Sequence, residues 1–341
     1  MDERKEKVLQ AIIEDYVSTA EPVGSRTLAR KYRLGVSPAT IRNEMADLEV
    51  QGYLEQPHTS AGRIPADKGY RYYVDTLMED HEATPDEQNR IAQVFDRRLT
   101  EVDHLLRETA RLLAETTHYS ALVVGPRVGR TAIKGVRLVP LEEGRALLVL
   151  VTEGGFVEDQ VVDMPVEVTM MELQRISGVL NEVLRGRTVI SLSRDALAAL
   201  HHELDRYRSL LSQTLDFLDQ SEAPEGDRVF VGGASRMLAQ PEFRNVEKVK
   251  RLMDLLEEEQ VVHDILGAAG RGEPRVAITI GEEIHYREMT DCSLVTATYR
   301  VGEETIGRIG VLGPKRMEYA KVVSLVDNVT QRLSEKLSRG T

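Results

Sequence analysis

The chain is poor in cysteine, has no long apolar run and carries none of the short motifs that mark common catalytic sites. A single thiol, Cys292, among 341 residues excludes any disulfide within the chain, and such usage fits a cytoplasmic setting. No apolar run approaches the roughly 20 residues that a membrane-spanning helix needs. The opening MDERKEKV has no apolar core of the kind a signal peptide carries. The expectation is a soluble protein without a membrane partner. HExxH, paired CxxC, P-loop and GxSxG signatures are all missing. His201 and His202 are neighbours on a predicted helix, where adjacent side chains point apart and make poor joint metal ligands. Cys292 follows Asp291 without a histidine pattern and reads as a buried or idle thiol rather than a nucleophile. The glycine runs FVGGASRML and GAAGRGE lack nucleotide-binding spacing. No catalytic residue, cofactor or metal is expected, so the chain does not read as an enzyme.

What is present is an uneven charge. The formal net charge is −12 and the isoelectric point near 5.3, which argues against a protein that coats nucleic acid over its whole surface. Yet residues 1–73 hold 11 basic against 11 acidic side chains, so the whole excess falls on the remainder. Residues 26–72 carry eight basic and five acidic side chains. A mildly basic head on an acidic body is able to bind DNA locally.

The stretch at 37–52, SPATIRNEMADLEVQG, reads as one short helix. Ser37 is placed to cap it, Pro38 suits the first helical position and Gly52 is a ready stop. Ile41, Met45 and Leu48 recur at helical spacing and are expected inside, with Ala39, Asn43 and Ala46 opposite and Thr40, Arg42 and Asp47 at the flanks. Small residues beside an Arg and an Asn suit a helix that enters a major groove and reaches base edges. Before it, residues 3–19 predict a helix, Pro22 and Gly24 break it, and Ser25 is expected to cap a second short helix. Together these make a helix-turn-helix unit.

After Gly52, residues 53–56 and a piece near Ile64 are expected to pair as a hairpin with the loop 58–63 at its tip, the layout of a winged helix. Thr59, Ser60 and Arg63 are types that bond phosphate oxygens. The segment 66–77 is expected to be helical, with Lys68 and Arg71 outward as backbone-contact candidates. Candidate DNA-binding residues are thus Ser37, Ala39, Thr40, Arg42, Asn43, Thr59, Ser60, Arg63, Lys68 and Arg71.

Polar residues 79–90, with Pro85, mark a boundary, and the stepping from Ile91 to Leu113 predicts a long amphipathic helix. A strand at 120–124 precedes three strands at 136–141, 146–152 and 157–162, a predicted antiparallel meander. A helix then carries Leu173, Ile176, Leu180 and Leu184. The next, at about 194–220, places Leu197, Leu200, Leu204, Tyr207, Leu211, Leu215 and Leu218 at near-heptad spacing, a candidate homodimer seam, although packing inside one domain is at least as frequent for such a stripe. Strands at 276–280, 294–301 and 305–312 and a closing helix at 315–337 predict a sheet with helices on its faces. If the strand at 120–124 joins that sheet, residues 133–226 are an insertion.

SPATIRNEMADLEVQGYL and HTSAGRIPADKGYRYYVD, with the weaker GPKRMEYAKVVSLV near the end, make the chain resemble the bacterial heat-inducible transcription repressor family HrcA. The family's wing usually continues PTDKGYR, whereas here Ala66 stands in the Thr position. The resemblance implies an α+β multidomain repressor. Its parts are an N-terminal winged helix-turn-helix at 1–78, a linker and long helix at 79–117, a GAF-like domain from 118–132 plus 227–341, and an inserted dimerisation domain at 133–226. It also implies a homodimer on double-stranded DNA at the inverted repeat CIRCE, and a GroEL chaperonin that maintains the active form. The alternative is a winged-helix regulator sensing a small molecule in its GAF-like domain.

Overall fold

A carboxylate caps the first helix and a left-handed residue ends it. In the computed structural model, which describes residues 1–58, 61–96, 102–125, 132–142, 144–153, 155–165, 167–188, 207–222, 228–268, 275–301 and 304–339, helix α1 spans Glu3–Thr19. The Asp2 side chain accepts from the amide of Lys5, and Ala20 closes the helix at φ 56°. Its buried stripe is Val8, Leu9, Ile12 and Ile13. Helix α2, Ser25–Lys31, starts one position earlier than its sequence suggests: Gly24 occupies the cap and Ser25 is buried in the first turn. Helix α3 spans Pro38–Val50, capped by Ser37.

Strands β1 (Leu54–Glu55) and β2 (Ile64–Pro65) then pair antiparallel, Leu54 opposite Pro65. Helix α4, Asp67–Tyr72, runs on into a wider π turn at Tyr73–Leu77.

The polar stretch with Pro85 proves to be a helix start. Thr84 and Glu87 form a reciprocal capping box and Pro85 takes the first position, where no amide donor is needed. The single long helix expected from Ile91 is therefore two elements, α5 (Pro85–Phe95) and α6 (Val102–Thr117).

The trunk is organised by a five-stranded antiparallel sheet in the order β7-β3-β10-β9-β8. Its strands are β3 (Ser120–Val124), β7 (Val229–Gly232), β8 (Val276–Ile280), β9 (Cys292–Val301) and β10 (Glu304–Pro314). The strand at 120–124 thus lies among strands more than a hundred residues away, between β7 and β10. All five β3 residues are buried because helices cover both faces. Ala121, Val123, Val295, Ile309 and Val311 pack with α6 and the closing helix. Leu122, Val124, Leu294 and Leu312 alternate to the other face and join Phe243, Leu252, Val262 and Leu266.

A second unit hangs between β3 and β7. Strands β4 (Ile133–Glu142), β5 (Arg145–Thr152) and β6 (Val157–Asp163) form a three-stranded meander. Helices α7 (Met170–Leu184) and α8 (Arg208–Glu222) cover one of its faces, with α7 against β4 and α8 against β6. The remaining helices are α9 (Ala234–Met237), α10 (Val246–Glu257), α11 (Glu259–Ala268) and the closing α12 (Tyr319–Arg339). Among the described residues no helix is long and apolar enough to cross a membrane, and no group of His, Cys, Asp and Glu is placed to hold a metal.

Candidate nucleic-acid interface

Helix α3 owes its orientation to three side chains. Ile41 and Leu48 are fully buried and Met45 nearly so. Each such side chain contributes about 1.5–3 kcal/mol relative to exposure, so the inner face is fixed against α1 and α2.

Glu44 sits on the inner side too, only 6% exposed. Its carboxylate lies 2.7 Å from Arg4 Nε and 3.2 Å from Lys5 Nζ, and Lys5 is also 3.2 Å from Asp47. Bonds to Asp47, Glu44 and Asp2 hold the Lys5 ammonium well above the ordinary lysine range. The amino-terminal turn of α1 is thus clamped onto the middle of α3. Helical spacing puts Glu44 on the same side as Ile41, Met45 and Leu48, but the two cations that neutralise it there come from α1 and are visible only in the fold.

What remains outward on α3 is Ala39, Arg42, Asn43 and Ala46. Ser37 Oγ accepts from the Thr40 amide at 3.2 Å and lies 3.0 Å from Thr40 Oγ1. These two hydroxyls therefore close the helix start, with Ser37 exposed and Thr40 half-buried. Val50, 88% exposed, extends the same stripe by one turn. Sequence reading passed over it, although its spacing from Asn43 and Ala46 carried the signal. Gly52, at φ 78°, turns the chain from α3 into β1.

The hairpin is fastened to the helices rather than hanging free. Val23 and Arg63 exchange backbone hydrogen bonds of 2.9 Å in both directions. The Arg63 guanidinium donates to Glu49, near the end of α3, at 2.9 Å from Nε and 2.8 Å from Nη2. Arg63, expected as a phosphate ligand, here braces the hairpin against α3. Lys68 donates to the Gln51 carbonyl at 2.9 Å, its ammonium 4.4 Å from the centre of the Tyr53 ring. Arg71, expected to point outward, turns to the trunk and binds Glu283 and the Ile278 carbonyl. In each case a carboxylate, carbonyl or ring brought near by folding outcompetes solvent. Thr59 and Ser60 lie outside the described residues.

Among the described residues the exposed head cations with neither an ion pair nor a side-chain hydrogen bond are Arg26, Arg30, Arg33 and Arg42, since exposed Lys68 is tied to the Gln51 carbonyl. They sit on α2, just after it, and on α3, around the exposed side of α3.

The described part of the leucine stripe packs inside the chain, the second of its two expected roles. Leu211 and Leu218 are buried within the chain's own second unit, Leu215 is half-buried, and Tyr207 donates to Glu172 on α7 at 2.7 Å. Leu197, Leu200 and Leu204 lie outside the described residues. Among the described residues one exposed apolar surface is the open face of the meander, where Val139, Leu141, Val157 and Val161 are 44–52% exposed. Period-two alternation sends Val136, Leu138, Leu148 and Val162 inward and leaves this second set without cover.

Residues 103–323 match the family model described as the HrcA protein C terminal domain. A protein of Symbiobacterium thermophilum named heat-inducible transcription repressor HrcA is 58% identical over 337 residues, covering 98% of each chain. One of the same name from Desulforamulus reducens is 47% identical over 340 residues, covering 99% of this chain and 98% of its own. A crystal structure at 2.2 Å resolution, titled only as a hypothetical protein, superposes with a TM-score of 0.70 over all of both chains at 25% identity. The class is that of transcription repressors. Within it, the chain belongs to the HrcA family of heat-inducible repressors.

Proposed function

We propose that the head is a winged helix-turn-helix that reads duplex DNA with α3, and that two copies occupy the halves of an inverted repeat of the CIRCE type. The observation that carries this reading is the outer face of α3: small Ala39 and Ala46 flank Arg42 and Asn43, all exposed, while ion pairs and the braced hairpin hold the helix still. A face so bare of long side chains admits the edges of base pairs. Asn bonds adenine and Arg bonds guanine through two hydrogen bonds each. Ser37 and Thr40 stand at the helix start, and Arg26, Arg30 and Arg33 supply backbone contacts beside it. The trunk, on this reading, is a GAF-like domain interrupted at 133–226 by a unit that pairs two copies.

The surface available for pairing is the open face of the meander. Arg137, Val149 and Asp159 stand in register across β4, β5 and β6 on that face, with Arg137 and Asp159 exposed. A twofold axis near Val149 sets each Arg137 against the other copy's Asp159, while Val139, Val157 and Val161 lose water. Half-sites then lie about one helical turn, or a multiple of it, apart. Heating depletes the folded, paired trunk, and a GroEL-type chaperonin restores it.

A footprint of the purified protein on upstream regions of its own genome identifies the operator. On that operator Asn43→Ala and Arg42→Ala are expected to cost about 1–3 kcal/mol each, with little change on random duplex. Equal losses on both DNAs would remove these residues from base readout.

A further inference from the structure

Head and trunk meet through the end of α1 and both ends of α4. Asp67, the first residue of α4, accepts from Lys315 Nζ at 2.5 Å and from the Glu282 amide at 3.3 Å. One turn on, Arg71 donates from Nε to Glu283 at 2.9 Å and from Nη2 to the Ile278 carbonyl at 2.7 Å and the second Glu283 oxygen. Between these pairs Tyr70 and Tyr319 are both buried, their ring centres 6.1 Å apart. Arg316, held by Glu242 and Gln240, donates to the carbonyl of Val17 at 3.2 Å. Gly281 leaves the space this fit requires. It stands at φ 57°, and a Cβ there would lie 2.0 Å from the Asp67 carboxylate.

One attachment leaves a hinge, but attachments at the end of α1 and along the whole of α4 remove rotation about any single axis. Each pair is partly exposed and weak alone; together with the buried tyrosines they act as one unit. We infer that this clasp fixes the angle of each reading head on its trunk and thereby sets the half-site separation that the two-headed protein accepts. Asp67, Arg71, Glu283 and Lys315 are positioning residues for operator spacing. The inference rests on the DNA-reading dimer proposed above. In such a dimer the heads' separation is the sum of the trunk-to-trunk and head-to-trunk geometries. Inserting about five base pairs rotates one half-site by half a turn, away from a head that is held rigidly.

The test measures fluorescence anisotropy of the full-length protein on the footprinted operator, on copies with one, five and ten base pairs added between the half-sites, and on a single half-site. Wild-type protein is expected to lose about 30-fold or more in affinity at five added base pairs. Arg71→Ala and Glu283→Gln are expected to shrink that loss to about threefold while leaving single half-site affinity unchanged. Gly281→Ala should do the same without removing any charged residue, by pushing the Asp67 carboxylate off Lys315 and the Glu282 amide. Variant profiles that superimpose on the wild-type profile would overturn the inference, as would a wild-type protein indifferent to spacing; either result leaves DNA reading intact. If the wild type protects no inverted repeat, the functional reading falls first and the clasp's role with it.

Discussion

Three arginines of the head show how little of a side chain's role its type decides. Arg63 looks like a phosphate ligand and is held by Glu49, whereas Arg26 and Arg33 look unremarkable and stand free on the head's surface. The salt dependence of operator binding separates them. Arg26→Ala or Arg33→Ala is expected to lower the slope of log affinity against log salt by about one, and the slope should barely move in Arg63→Ala unless the brace itself is needed. Cys292 is another case. It is fully buried, and burial, with Asp291 beside it, pushes its thiol up to about 12. Because the thiolate is the reactive form, labelling at pH 8 should be negligible in the folded protein. It should rise on mild heating in step with loss of operator binding. Labelling that stays flat while binding falls would place the heat-sensitive step outside the trunk sheet.

At the scale of the element, the caps are the legible features. Ser37 and Pro38 marked the start of α3 because capping depends only on neighbours three residues away. Ser37→Ala is expected to destabilise the head by about 1 kcal/mol, read as a lower melting temperature. Thr84 and Glu87 form an equally local box, yet Pro85 in a polar stretch has the pattern of a boundary. The residue that ends one helix also opens another, and only the hydrogen bonds decide which. The leucine helix left two roles open for a different reason. Near-heptad spacing defines an apolar stripe but not what covers it, and α8 lays its stripe on β6 of its own chain.

For the whole molecule, the division of labour follows from which surfaces stay open. The trunk sheet is covered on both faces, while the meander has one face bare. Val161 is 48% exposed, so Val161→Asp leaves the intrachain core untouched. It is expected to shift the protein towards monomer in sedimentation and to weaken operator binding by at least about tenfold, since the second half-site is then bound independently. A dimer that persists through Val161→Asp and Val139→Asp together would move the pairing surface elsewhere.

The sequence alone determined the local grammar of this protein. The three head helices, the two-stranded hairpin, the strand at 120–124 and the closing helix all follow from periodicity and capping, which act over a few residues. The outer face of α3 was legible for the same reason, since one helix turn settles which side chains lie opposite Ile41 and Leu48. Only the tertiary structure decided what those elements meet. It put Glu283 beside Arg71 across 212 residues of chain, Arg4 and Lys5 on Glu44, and β3 between β7 and β10. Charge pairing and sheet order depend on distance in space, which a pattern along the chain does not encode. The cations committed to holding the molecule together could therefore be told from those left free for a partner only once the chain had folded.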